Sequence, residues 1–398
     1  MAESLAMILL PRYGPTHVVF NSIFASISSS EAMINNHRRK KLPQVEDDLV
    51  KKLRFSFSLA LLSLHAMVGI KNFALSLDAV KQDQYEYALQ EEKDDVVEKR
   101  KLIIEGLDNP FESGTMFTSA DAMTNVLMEA FNLNPLIEEK DREIASNLRQ
   151  YLVENPYLNY EKLYDDFASF GIIDTNVTRG NVAAANFANY IVVYNRDNQQ
   201  EERYSNHLEH ELVHRTGHLP GMMMLNEGMT SLIHYEYMSD FQYTSAYYDE
   251  ILMTKIFCEL ITPDKMLEAY SKEDTSIIQN ELLKLNPDED KYQQFINLLN
   301  EYSEERDSYV ELGTLDSFYD EGHALKYRDK FAMMVMNYMY NANFDDSKVS
   351  RIADYLKCIG TKTHLTIRGT TYFNQSVKEL SYENAYSSEL EETANYHY

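Results

Sequence analysis

Cysteine, basic charge and long apolar stretches are all scarce in this 398-residue chain. Its two cysteines, Cys258 and Cys358, lie in segments that both read as helices. Two isolated cysteines make no disulfide framework and no Cys-x-x-Cys metal site, so both are expected to be packed, unreactive thiols. Lys and Arg number 37 against 63 Asp and Glu, which gives a formal charge of −26 and a pI near 4.8. That balance excludes a nucleic-acid partner, because phosphate binding needs a basic surface. Tryptophan is absent, and nothing follows from it. The apolar content of 44% is ordinary for a folded protein. The length allows one elaborated domain or two or three smaller ones.

No uncharged run is apolar enough to be an unambiguous membrane span. Phe55–Ile70 is rich in Leu, Ala and Phe, yet it has 16 residues, diluted by Ser56, Ser58, Ser63 and His65, against the ~20 that cross a bilayer as a helix. The basic run His37–Lys41, reinforced by Lys51, Lys52 and Arg54, precedes it, and acidic sequence follows. Two readings stand. As a single-pass anchor, 55–70 would leave the remainder outside the cytoplasm. As a buried helix, it would belong to a cytoplasmic protein. The expected organisation is an N-terminal segment over 1–72, a mainly helical region over 73–170 and a third region over 171–398.

From Gln82 to Lys101 the chain is charged, with acidic and basic partners four residues apart, as on a solvated helix. Helical spacing continues through Ala122, Met123, Val126, Leu127 and Ala130, and again through Ile144, Leu148 and Leu152. Asn155-Pro156 breaks the run, and a further helix is expected over Tyr160–Phe170. The texture then changes at Gly171. Asn189–Tyr194 is β-branched and aromatic between polar turns, and reads as a strand. In such a position an edge strand can pair with an extended peptide. Beyond it, helices are expected over Tyr247–Leu260, from Pro263 after a Thr262 cap, over Phe318–Tyr340, and from Asp345-Asp346 to Gly360. A short strand pair is expected within Thr361–Tyr372. The fold class is α+β, mostly α, with a small sheet ahead of the key helix and a helical C-terminal part.

The most specific stretch is His207-Leu-Glu-His210-Glu211-Leu-Val-His214, followed by Leu225-Asn-Glu227-Gly228-Met-Thr230. His-Glu-x-x-His puts two imidazoles one helical turn apart on one face, where both reach one metal ion. The intervening Glu211 is placed to take a proton from a metal-bound water. The helix is expected to start near Asn206, with Glu209 completing a capping box, and to end by Gly217 and Pro220-Gly221. Structural zinc sites favour closed, cysteine-rich shells, whereas two His and one Glu leave a position open for water. The expected cofactor is therefore one Zn²⁺ per chain, with a peptide or protein as substrate. His218 is the alternative third ligand if Glu227 is not one. His207, His234 and Glu236 are candidates for a supporting shell.

The metzincin pattern would require a histidine where this chain has Pro220. The run Leu225-Asn-Glu-Gly-Met-Thr instead resembles the L-N-E-G segment of the aminopeptidase-N family, and with the His pair it is similar to the gluzincins. Residues 185–270 also resemble little-characterised zincin-like proteins of Gram-positive bacteria. The resemblance covers roughly thirty residues. It implies His210, His214 and Glu227 as metal ligands, Glu211 as general base, a Tyr such as Tyr235 or Tyr237 steadying the oxyanion, and a zincin-like catalytic domain over 171–398. Only 12 residues separate His214 from Glu227, fewer than in aminopeptidases, and no substrate-amine motif lies upstream. The expected activity is thus a zinc metallopeptidase cutting within chains. The alternative is an inactive zincin-type metal-binding or interaction protein.

Overall fold

The computed structural model describes residues 81–360 apart from 114, 239–246, 321 and 343, together with the strand segments 365–367 and 370–373. The candidate anchor at 55–70 and the basic run at 37–41 lie outside the described residues. Among the described residues no helix is long and apolar enough to cross a membrane. The chain divides into two compact units, 1–88 and 89–398. Of the first, only 81–88 are described, and they are helical.

The second unit is mostly helical around a three-stranded sheet. Residues 89–105 form α1. Then come α2 (Ala120–Leu133), α3 (Glu139–Ala145), α4 (Arg149–Glu154) and α5 (Tyr160–Phe167). Side-chain caps start two of them, since Ser119 accepts from Ala122 N–H and Asn159 from Lys162 N–H. Strands β1 (Gly171–Asp174), β2 (Ala184–Asn186) and β3 (Tyr190–Val193) follow. β3 lies in the middle, parallel to β1 and antiparallel to β2, with Ile172 opposite Ile191 and Ala185 opposite Val192. The strand expected at 189–194 is therefore central, and one of the two edges beside it is Ala184–Asn186. That segment is too short and too lacking in β-branched residues to stand out by composition.

β3 is buried on both faces. Ile191 and Val193 join the main core, while Val192 packs with Ile173, Tyr194 and the Leu89 and Val96 side chains of α1. The main core is continuous from Leu127 and Phe131 to Leu356 and Ile359, so the helices before the sheet and those after it share one interior.

After the sheet come α6 (Glu201–His214) and α7 (Met223–Tyr237), then α8 (Tyr248–Ile261) and α9 (Pro263–Lys272). Next are α10 (Ser276–Leu285), α11 (Glu289–Glu311) and α12 (Leu315–Asp320). The last two helices are α13 (His323–Asn341) and α14 (Asp346–Ile359). As expected, Thr262 caps α9, which has Pro263 in its first turn, and Gly360 closes α14 in the left-handed conformation. β4 (Leu365–Ile367) and β5 (Thr370–Phe373) form the antiparallel pair.

Two expected helices differ. The segment Phe318–Tyr340 is not one helix: it breaks at Gly322, whose φ of +82° stops α12 and lets α13 begin at His323. And α6 starts at Glu201, not near Asn206, with Glu201 and Glu202 in its first turn, where carboxylates suit the helix dipole. The Asn206–Glu209 pair therefore lies inside the helix and caps nothing.

Candidate metal centre

α6 is enclosed on more than one side. Glu209, His210 and Glu211 are consecutive and all buried, so their three side chains leave the helix about 100° apart into three different surroundings. Glu209 accepts from Asn147 Nδ2 at 2.7 Å and lies 3.0 Å from His234 Nε2 on α7. His210 faces α7. Glu211 faces the sheet, where its carboxylate accepts from the backbone N–H of Asn186 on β2.

His214, one turn after His210, completes the pair. Its Nε2 lies 3.2 Å from His210 Nε2, and Glu227 Oε2 lies 3.2 Å from His210 Nε2 and 3.4 Å from His214 Nε2. Ligand atoms about 2.05 Å from a tetrahedral ion sit ~3.3 Å from one another, which is the edge length seen here. Among the described residues, this is the group of His, Cys, Asp or Glu side chains whose ligand atoms all converge within 4.8 Å. Three lone-pair atoms packed this closely need a cation or shared protons at their centre. Both imidazoles are nearly enclosed, whereas the Glu227 side chain keeps 25% of its surface exposed, so the cluster opens on one side.

The electrostatics follow from that packing. Burial pushes His210 down to about 4, so it is held neutral. His214 is also desolvated, but the Glu227 carboxylate outweighs this and raises it. Glu227 is itself desolvated, yet the two imidazoles hold it well below the usual carboxylate range. Burial pushes Glu211 up to about 7, with Glu227 adding to the rise, and His214 and the Asn186 N–H opposing it.

Close backbone approaches fix the frame. A Cβ at Gly228 would overlap the Thr254 hydroxyl and the Glu250 carbonyl on α8, so α7 crosses α8 at the residue after Glu227. A Cβ at Gly217 would overlap the Tyr270 carbonyl, to which His218 N–H donates at 3.1 Å. The turn after α6 is thereby pinned to α9.

The other candidates lie elsewhere. His218 is half exposed and pairs with Glu273 at 3.3 Å. His207 Nδ1 meets Gln199 Oε1 at 3.2 Å, and His234 pairs with Glu209. Glu236 is exposed, and Tyr237 packs on Tyr151 with ring centroids 5.4 Å apart. The tyrosine against the cluster is Tyr247, whose ring stacks on His210 at 4.9 Å and 14°. The Arg306 guanidinium lies 5.3 Å from the same ring, and Arg306 pairs with buried Glu250 at 2.9 Å. Desolvation and the nearby Glu227 and Glu211 carboxylates keep the Tyr247 hydroxyl protonated. Neither Tyr247 nor Arg306 bears any fixed spacing to the motif, so the sequence carried no signal for them.

No protein-family model matches the chain, nor does any curated protein or solved structure. The resemblance to gluzincins is therefore one of motif residues alone.

Proposed function

We propose that the protein is a zinc-dependent metallopeptidase of gluzincin type on a zincin-like frame. The observation that carries this reading is the convergence of His210, His214 and Glu227 at tetrahedral spacing, with Glu211 buried beside them. Two neutral imidazoles and one carboxylate are the donor set of catalytic rather than structural zinc, and the exposed side of Glu227 leaves room for a further ligand. Zinc held there would polarise a peptide carbonyl and acidify a water beside it.

The remaining chemistry belongs to the chain. Glu211 is raised towards neutrality, so it can accept a proton from the attacking water and return it to the leaving amine. The Asn186 N–H orients that carboxylate. At the two ends of β2, Phe187 N–H donates to Tyr190 O at 2.8 Å and Tyr194 N–H to Ala183 O at 2.9 Å, which puts the flanking residues 183 and 187 in paired positions. The backbone groups of Ala184 and Asn186 alternate with these and turn to the free edge. One of the edge N–H groups already serves Glu211. Ala184 N–H and C=O remain for an extended peptide, which can add there as a further strand.

The test is hydrolysis of a fluorogenic peptide library with and without zinc. Cleavage that stops on chelation and returns with zinc supports the reading. Zinc-loaded protein that cuts nothing favours a metal-binding protein without turnover.

A further inference from the structure

The imidazole of His214 can serve as a ligand in only one of its two neutral forms. Nε2 must keep its lone pair, so the proton must sit on Nδ1. Nothing in the motif guarantees this. A proton on Nε2 would instead point at the Glu227 carboxylate, 3.4 Å away, and would block the centre.

Behind the ring, Nδ1 lies 3.1 Å from Thr230 Oγ1 on α7. Thr230 Oγ1 lies 2.9 Å from the Tyr270 hydroxyl on α9, and that hydroxyl donates to the Val213 carbonyl at 3.2 Å. A carbonyl only accepts, so it fixes the direction of the whole chain. Tyr270 gives its proton to Val213, Thr230 gives its proton to Tyr270, and the free lone pair of Thr230 is left facing Nδ1. Thr230 and Tyr270 are both 0% exposed, so no water competes for these bonds.

We infer that Thr230 and Tyr270 are positioning residues that hold the His214 proton on Nδ1 through this one-directional chain, and so keep Nε2 free for the metal. The inference rests on the metal reading above. Tyr270 suits the role because its place is set independently. Its backbone carbonyl holds the His218 N–H, and Gly217 packs on it with no room for a side chain. One competitor stands nearby. Asn226 Nδ2 lies 3.3 Å from Nδ1, its amide oriented by Leu219 N–H donating to Oδ1 at 2.9 Å. If Asn226 donated to the ring, the proton would move to Nε2 and metal binding would suffer.

Zinc dissociation constants, measured by chelator competition on the full chain, test this without any activity assay. Thr230→Val keeps the shape and removes the hydroxyl. It and Tyr270→Phe are expected to bind zinc 10–100-fold more weakly, with Thr230→Ser restoring most of the loss. Tyr302→Phe, which removes a different buried hydroxyl, one bonded to Asp249, is expected to leave zinc affinity unchanged. In zinc-loaded wild type, a histidine-labelled NMR spectrum should show the His214 proton on Nδ1. Thr230→Val that binds zinc as tightly as wild type, or more tightly, overturns the inference. So does a His214 spectrum without the Nδ1 proton. Wild type that binds no zinc overturns the metal reading first, and this inference with it.

Discussion

Gly228 meets Thr254 with no room for a side chain between them, and this contact sits one residue after the proposed ligand Glu227. α7 and α8 cross there backbone to backbone. Gly228→Ala must push them apart, at a cost of about 1–3 kcal/mol for overpacking, and Glu227 moves with its helix. The expected result is a lower Tm together with weaker zinc binding. An unchanged Tm with full zinc would show the crossing to be slack.

Glu211→Gln keeps the side-chain shape, including an oxygen for the Asn186 N–H, and removes the base. Peptide hydrolysis should fall by roughly 10²–10⁴-fold, while zinc content stays at the wild-type level because Glu211 is not among the converging ligand atoms. Zinc loss in this variant would assign Glu211 a ligand role instead. A metal-binding scaffold would show no turnover to lose.

Two desolvated imidazoles, one buried and one half-buried, set an acid limit on stability. His207 and His210 are each pushed down to about 4, with burial as the main cause. An unfolded histidine takes up its proton near 6.5. As pH falls from about 6.5 towards 4, the unfolded chain therefore binds protons that the folded chain refuses. This stabilisation is complete above that window and lost as pH falls through it. Each histidine adds up to about 1.4 kcal/mol per pH unit. His207→Gln should flatten the slope by one proton in zinc-free protein, read from urea unfolding at a series of pH values. Parallel slopes for the two proteins would contradict the assignment.

The helices behind the site are held by a buried charge pair. Asp249 on α8 is 0% exposed and accepts from Arg328 Nε at 2.8 Å and Nη2 at 2.9 Å, while Tyr302 donates to the same carboxylate. Asp249→Ala removes the two-pronged carboxylate partner of the buried guanidinium and is expected to cost about 3–5 kcal/mol. Urea unfolding checks it, and a loss within experimental error would mean that Arg328 finds water or another acceptor.

How far the sequence reached follows from which distances it encodes. The spacing of His210 and His214 is a property of the helix itself, so their meeting is local arithmetic. Glu227 was legible because a short turn returns α7 to α6 within one motif. α9 and α14 were legible from Thr262-Pro263 and Gly360, residues whose backbone preferences act alone. Asn206 misled, because the pattern Asn-x-x-Glu has a local meaning only at a helix start, and Glu201 and Glu202 extend the helix past it. The break at Gly322 was hidden by apolar spacing on both sides of it. Ala184–Asn186 is a strand only because β3 is there to pair with. Tyr247, Tyr270 and Arg306 reach the site by tertiary packing, Tyr270 from 56 positions beyond His214, and no local pattern announces them.

The proposed activity depends on the metal. The most direct measurement is zinc per chain by elemental analysis on wild type and Glu227→Ala, each purified without chelator. One zinc is expected in the wild type and most of it lost in the variant, with both proteins folded. Wild type without zinc, or a variant that keeps it in full, would contradict the His210–His214–Glu227 centre.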